Sequence, residues 1–156
     1  RIVCESIIDE CIKSSQVKRF IKQKNRLPYV KLGTIFNLSD EYMDTTIIAN
    51  KFRNAIINCG EMKFVASDSE VEALREEQLS QADHAKLGTE AQFGNEQAAD
   101  FMLQGTIKTV IDQNENVTQK TYYVDVQLYD IESTEVVWTT ENSEIVKILN
   151  KKKLKF

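Results

Sequence analysis

Three cysteines, one histidine and scattered carboxylates are the residues of this 156-residue chain with the means to carry chemistry, and their spacing works against most of it. Cys4 and Cys11 fall in a helical pattern, roughly 10.5 Å apart at about 1.5 Å rise per residue, beyond the Cα separation a disulfide tolerates. A metal site wants tighter spacing and histidine partners, and the sole histidine, His84, lies in a polar stretch. Cys4, Cys11 and Cys59 therefore read as small buried hydrophobes, and no metal or cofactor is expected. Asp112, Asn114 and Asn116 in "DQNENV" mimic the opening of an EF-hand loop, but Val117 stands where its glycine belongs and Tyr123 where its bidentate glutamate belongs, which leaves a polar turn. Glu76 and Glu77 sit in a run of helix-surface charges, with no apolar pocket to raise a carboxyl pKa. No glycine-rich phosphate loop follows either of the first two strands, and one loop histidine supports no Ser-His-acid set. The sequence predicts a protein that is not an enzyme. "NLS" at Asn37 and "NVT" at Asn116 match the glycosylation sequon, a motif short enough to arise by chance.

The elements around these residues follow from periodicity. Cys4, Ile8, Cys11 and Ile12 share one helical face, whereas Val17, Phe20 and Ile21 fall on the opposite side if the same helix continues. A break at Ser14-Ser15, with Ser15 capping a second short helix, gives each set its own buried face. Pro28 ends the helical segment and the β-branched and aromatic residues after it make a strand. Ile48, Phe52, Ala55, Ile56 and Cys59 line one face of the best helix, stopped by Gly60. "MKFVA" is a short strand, and Ser67 with Glu70 forms a capping box opening a charged helix through Gln78, whose thin stripe of Val71 and Leu74 suits the rim. A polar loop through His84 and Gly88 then leads to a second capping box, Thr89 with Gln92. The helix after it runs to Ala99, with Gly94 packed against the sheet.

Phe101, Leu103, Gly105, Ile107 and Thr109 alternate with Met102, Gln104, Thr106, Lys108 and Val110, the pattern of a half-buried strand. "KTYYVDVQLYDI" returns with Tyr122, Val124, Val126 and Leu128 on one face, and "EVVWTT" completes an antiparallel meander. The first two strands and the helix between them form a right-handed βαβ unit. The predicted fold is a single α/β (α+β) domain over residues 1–156: a mixed sheet of about five strands with a C-terminal antiparallel meander, packed by helices. Residues 1–27 form an N-terminal helical segment and 146–156 a basic tail.

Apolar residues make up 42% of the chain and charged residues 28%, a globular composition. The formal net charge of -4 hides a segregation: Lys13 to Lys31 holds seven bases and no acid, and Asp68 to Asp100 holds nine acids against Arg75 and Lys86. Patches of this size on a net-acidic protein read as solvated faces, so no nucleic-acid partner is expected. No apolar run approaches the roughly 20 residues of a membrane helix.

"SSQVKRFIKQKNRLPYVKLGTIFN", "KFVASDSEVEALREEQ", "GNEQAADFMLQGTI" and "YYVDVQLYDIESTEVVW" together resemble the LpoB-type family of penicillin-binding protein activators, in the same order and over about four-fifths of the chain. The resemblance implies a domain similar to the N-terminal domain of TolB, carried by an outer-membrane-anchored periplasmic lipoprotein. It also implies a bifunctional penicillin-binding protein as partner, stimulated in glycan polymerisation and cross-linking, and membrane contact only through a lipid anchor outside this chain. "RIVC" around Cys4 lacks the small residue that a lipobox carries before its cysteine. A lipoprotein of a curli-type secretion system is the alternative, but the long amphipathic segments expected of one are missing from these residues.

With no catalytic set, function falls to surface. Tyr123 and Tyr129 occupy the less apolar face of their strand, where a second layer of helices would cover them. Tyr42 and Met43 fall in a loop, and aromatic residues are favoured at interfaces. The expected partner surface is the loop from Asn37 to Met43, with Asn37, Ser39, Tyr42 and Met43, together with the helix from Asp68 that carries Arg75.

Overall fold

The computed structural model describes residues 3–84 and 98–151. The elements run α1 (Val3–Ile12), α2 (Ser15–Lys24), β1 (Tyr29–Asn37), α3 (Thr45–Cys59), β2 (Lys63–Phe64), α4 (Asp68–His84), β3 (Phe101–Gln113), β4 (Val117–Asp130) and β5 (Val136–Lys151). The five strands form one mixed sheet in the order β2-β1-β3-β4-β5, with β1 parallel to both β2 and β3 and the last three strands antiparallel. This is the expected βαβ unit joined to the expected meander, with β3 at the centre.

The alternation in β3 explains that position. Phe101, Leu103 and Ile107 are buried with Val124, Val126 and Leu128 of β4 on one face of the sheet, under α1 and α3, whose Ile7, Ile8, Phe52 and Ile56 complete the core. Gly105 sits where β1 shifts register between Leu32 and Ile35. A Cβ there would lie 3.3 Å from both the Asp125 carbonyl oxygen and Ile35 Cδ1, so the missing side chain lets Ile35 close over β3. Gly60 ends α3 in the left-handed region, at φ 74°, as a glycine can.

The corner between α1 and α2 exists, but the cap is Ser14: its extended backbone leaves Oγ accepting from Val17 N at 3.3 Å, and Ser15 is already helical. Phasing decides this, because Val17 must reach the core at the third helical position. Phe20 then packs edge-on against Phe101, with centroids 5.1 Å apart. Arg26 holds both carboxylate oxygens of Asp100, at 2.8 and 2.9 Å, and Asp100 also accepts from Tyr29 N, pinning the start of β1 beside the start of β3.

The capping box of Ser67 with Glu70 is present, and Arg53 joins Glu70 at 2.9 Å, tying α4 to α3. Three elements differ in length from expectation. β2 has only two residues, because the chain leaves the ladder after Val65 N bonds to the Val30 carbonyl oxygen. α4 continues past Gln78 to His84, which is its last residue and not part of a loop. β5 continues through Lys151, paired with Val117, so the tail expected from residue 146 is sheet for six of its residues. Thr89, Gln92 and Gly94 lie outside the described residues, but the helix expected to run to Ala99 does not reach it: Ala98 and Ala99 are not helical and lead straight into β3.

Cys4 and Cys11 are buried and Cys59 is half-buried; all three are free thiols. The exposure of Cys59 departs from expectation, because it ends α3, where its Sγ lies 3.0 Å from the Ile56 carbonyl oxygen. Burial pushes the Cys4 thiol up to about 11 and Cys11 to about 12, so both stay protonated and unreactive near neutral pH. Tyr123 and Tyr129 are half-buried on the sheet face opposite Leu103, opposite Lys108 and Met102 in register. No described helix is long and apolar enough to cross a membrane.

Candidate functional site

The chain between β1 and α3 is short of regular structure, so its backbone polar groups need partners from side chains. Asn37 supplies several. Its Oδ1 accepts from Ser39 N at 3.0 Å, and its Nδ2 donates to the Glu41 carbonyl oxygen at 2.8 Å. Ser39 Oγ accepts from Glu41 N at 3.2 Å and lies within bonding distance of Asn37 Oδ1, closing a compact polar turn. At its far end Asp44 caps α3 by accepting from Thr46 N at 3.0 Å.

The turn is fastened to the sheet by residues far away in sequence. Lys120 of β4, with only 7% of its side chain exposed, reaches Asp40 Oδ1 at 2.8 Å and Glu41 Oε2 at 3.3 Å. Thr109 of β3 donates to Asp40 Oδ1 at 3.0 Å and accepts from Asp40 N at 3.3 Å, and the Tyr122 hydroxyl donates to Glu41 Oε2. Leu38 N bonds to the Ile107 carbonyl oxygen at 2.8 Å. The Lys120 hydrogen bond holds Asp40 below the usual carboxylate range, and the same bond holds Lys120 above its ordinary value. The Glu41 hydrogen bond raises Tyr122, keeping the phenol protonated as a donor.

What the fastened turn presents is apolar. Tyr42 is 93% exposed and Leu38 67%, and Ile47 in the first turn of α3 also faces solvent. Met43 turns the other way and packs half-buried on the core. Of the residues expected at a partner surface, Asn37 and Ser39 are the turn's internal scaffold, Tyr42 is its outward tip, and Met43 is its root. Asp68 opens α4 and Arg75 stands exposed along it, on a helix tied to α3 through Glu70. The described contacts thus fix the two halves of the expected surface through different elements, the loop through β3 and β4 and α4 through α3.

Leu38, Asp40 and Glu41 fell inside the expected loop without a role of their own, and Thr109 and Lys120 lay outside the expected site. One signal was there: Lys120 shares the alternation of Tyr122, Val124, Val126 and Leu128, and a lysine on a buried strand face demands a carboxylate partner. Among the described residues, no three His, Cys, Asp or Glu side chains converge as a metal site would require. Asp112 and Gln113 are paired in β3, and Asn114–Asn116 form only the hairpin tip.

A family model described as the peptidoglycan-synthase activator LpoB matches residues 1–144. No curated protein matches the chain in sequence. Among solved structures, the LpoB C-terminal domain from Escherichia coli is similar at 18% identity and a TM-score of 0.44, over 73% of this chain and 79% of that one. The LpoB C-terminal domain from Salmonella enterica is similar at 16% identity and 0.46, over 85% and 96%. Lipoprotein GNA1162 from Neisseria meningitidis is similar at 15% identity and 0.47, over 81% and 87%. With the family model spanning nearly all of the five-stranded domain, the chain belongs to the LpoB family of peptidoglycan-synthase activators.

Proposed function

We propose that this domain is a non-enzymatic periplasmic module, held at the outer membrane by a lipid anchor outside these residues, that stimulates a bifunctional penicillin-binding protein by direct contact. The observation that carries the reading is the family match over residues 1–144. The β1–α3 turn supports it physically: Tyr42 projects from a turn whose backbone is already fixed by Lys120, Asn37 and Ser39, so docking it orders one aromatic side chain and little backbone. Tyr42 and Leu38 are the anchors, Asn37 and Ser39 hold their geometry, and Asp68 and Arg75 on α4 belong to a flanking part of the surface.

The test is a glycan-polymerisation assay with the synthase encoded in the same genome. The domain alone shows no turnover of lipid-linked precursor, and its addition raises the synthase's rate in a saturable way. A cognate synthase whose rate does not change on saturation with the domain rejects the reading.

A further inference from the structure

Behind the β1–α3 turn lies an apolar pocket of about 240 Å³ that the proposed contact surface does not use. Ile107 and Val124 line it from the sheet, Ile48 and Phe52 from α3, Cys4 from α1, and Met43 from the turn. Its polar lining is confined to two side chains, Tyr122 and Lys51. The Tyr122 hydroxyl is already engaged by Glu41, so the lining offers water few partners and favours an apolar guest. The size is below the roughly 300–1,000 Å³ of most drug-sized ligand sites. A site of that size takes one slender chain.

Lys51 supplies the one formal charge among the described lining residues. It is exposed, and it lines both this pocket and the polar groove between α1 and α3 that carries Glu5 and Asp9. No ion pair engages its ammonium among the described residues, and it is close enough to Cys4 to oppose the effect of burial on that thiol. A cation that pairs with no described acid, at the rim of an apolar pocket, is complementary to an amphiphile with an anionic end. We propose that the pocket binds one unbranched acyl or alkyl chain, its tail among Ile48, Phe52, Ile107 and Val124 and its carboxylate or phosphate head at Lys51.

The full chain is titrated with decanoate, decyl phosphate and decanol, followed by native mass spectrometry, thermal melting and methyl chemical shifts. Decanoate is expected to bind one to one, to raise the melting temperature with concentration, and to bind roughly three- to tenfold more tightly than decanol. Whichever of the two anions binds more tightly assigns the head group. Lys51→Gln removes the anion's advantage and leaves decanol binding unchanged. Ile48→Phe, which fills the pocket from its half-buried wall, abolishes binding of all three. In the parent protein, shifts on adding decanoate centre on Ile107 and Val124, a readout that needs no variant. Absence of binding, equal affinity for decanol and decanoate, shifts centred elsewhere, or full binding by folded Ile48→Phe overturns the proposal.

Discussion

Lys120 occupies the strand face that carries Tyr122, Val124, Val126 and Leu128, and a charge there is tolerated because two carboxylates meet it. The contact that satisfies β4 is therefore also the contact that fixes the β1–α3 turn. Its pH range follows from the directions of the shifts. Asp40 titrates below its ordinary 3.8, so its contribution is full above that value and is lost as pH falls through the depressed one; Lys120 titrates above its ordinary 10.5, so its contribution is full below that value and is lost as pH rises past it. The latch is expected to hold across the neutral range and to fail only at the two extremes, a plateau that denaturation midpoints measured from pH 3 to 11 would show. Asp40 is half exposed, so salt weakens the contact. Lys120→Met should leave the sheet folded while the amides of residues 38–43 lose hydrogen-exchange protection; unchanged protection would mean that the bonds of Asn37, Ser39, Thr109 and Tyr122 hold the turn without the lysine. Leu103 is the opposite case. It is fully buried in the central strand, and Leu103→Asp should abolish the cooperative melt, because the cation described on that face, Lys120, stands opposite Ile111, eight residues along β3, and is held by Asp40 and Glu41.

At the scale of elements, the N-cap of α2 is Ser14 and not its neighbour Ser15, which the sequence pattern favours. Ser14→Ala should lower stability by about 1 kcal/mol and Ser15→Ala by less than about 0.5, read from urea midpoints. Gly105→Ala tests a different constraint. The new Cβ would meet a backbone oxygen at 3.3 Å, which cannot rotate away, and a loss of about 1–3 kcal/mol is expected. Elements that reveal themselves by local pattern were legible: the Pro28 boundary, the α3 stripe and its glycine stop, the Ser67–Glu70 box and the alternation of β3 and β4. Length was less legible where the pattern is dilute. The α4 stripe is thin enough to hide its last turn and a half, and lysines at 147 and 151 disguise the end of β5, which is strand because the first half of β4 needs a partner. The fastening of the turn was illegible for another reason: Asp40 and Lys120 stand 80 residues apart, and only the β1-β3-β4 order brings them together.

The whole molecule divides labour between its faces: α1 and α3 cover one side of the sheet, and the turn after β1 is held out at the sheet's end with its tip in solvent. In the proposed role this division makes Tyr42 and Met43, neighbours in sequence, separable in experiment. Tyr42 has almost no intramolecular contact to lose, so Tyr42→Ala should leave the melting temperature within about a degree, whereas an aromatic interface anchor is typically worth about 2 kcal/mol or more. That corresponds to a roughly thirtyfold weaker complex, seen as a shift of the half-maximal concentration for stimulating the synthase. Met43 packs half-buried on the core, so Met43→Ala should cost about 1–2 kcal/mol of folding stability, less than a fully buried methionine, and weaken stimulation only as far as the turn loosens. Denaturant midpoints and stimulation curves for the two single variants, measured on the same preparations, decide between the assignments. Undiminished stimulation by Tyr42→Ala moves the contact away from the turn, towards α4 with Asp68 and Arg75, where Arg75→Glu is the next substitution to carry the same pair of measurements.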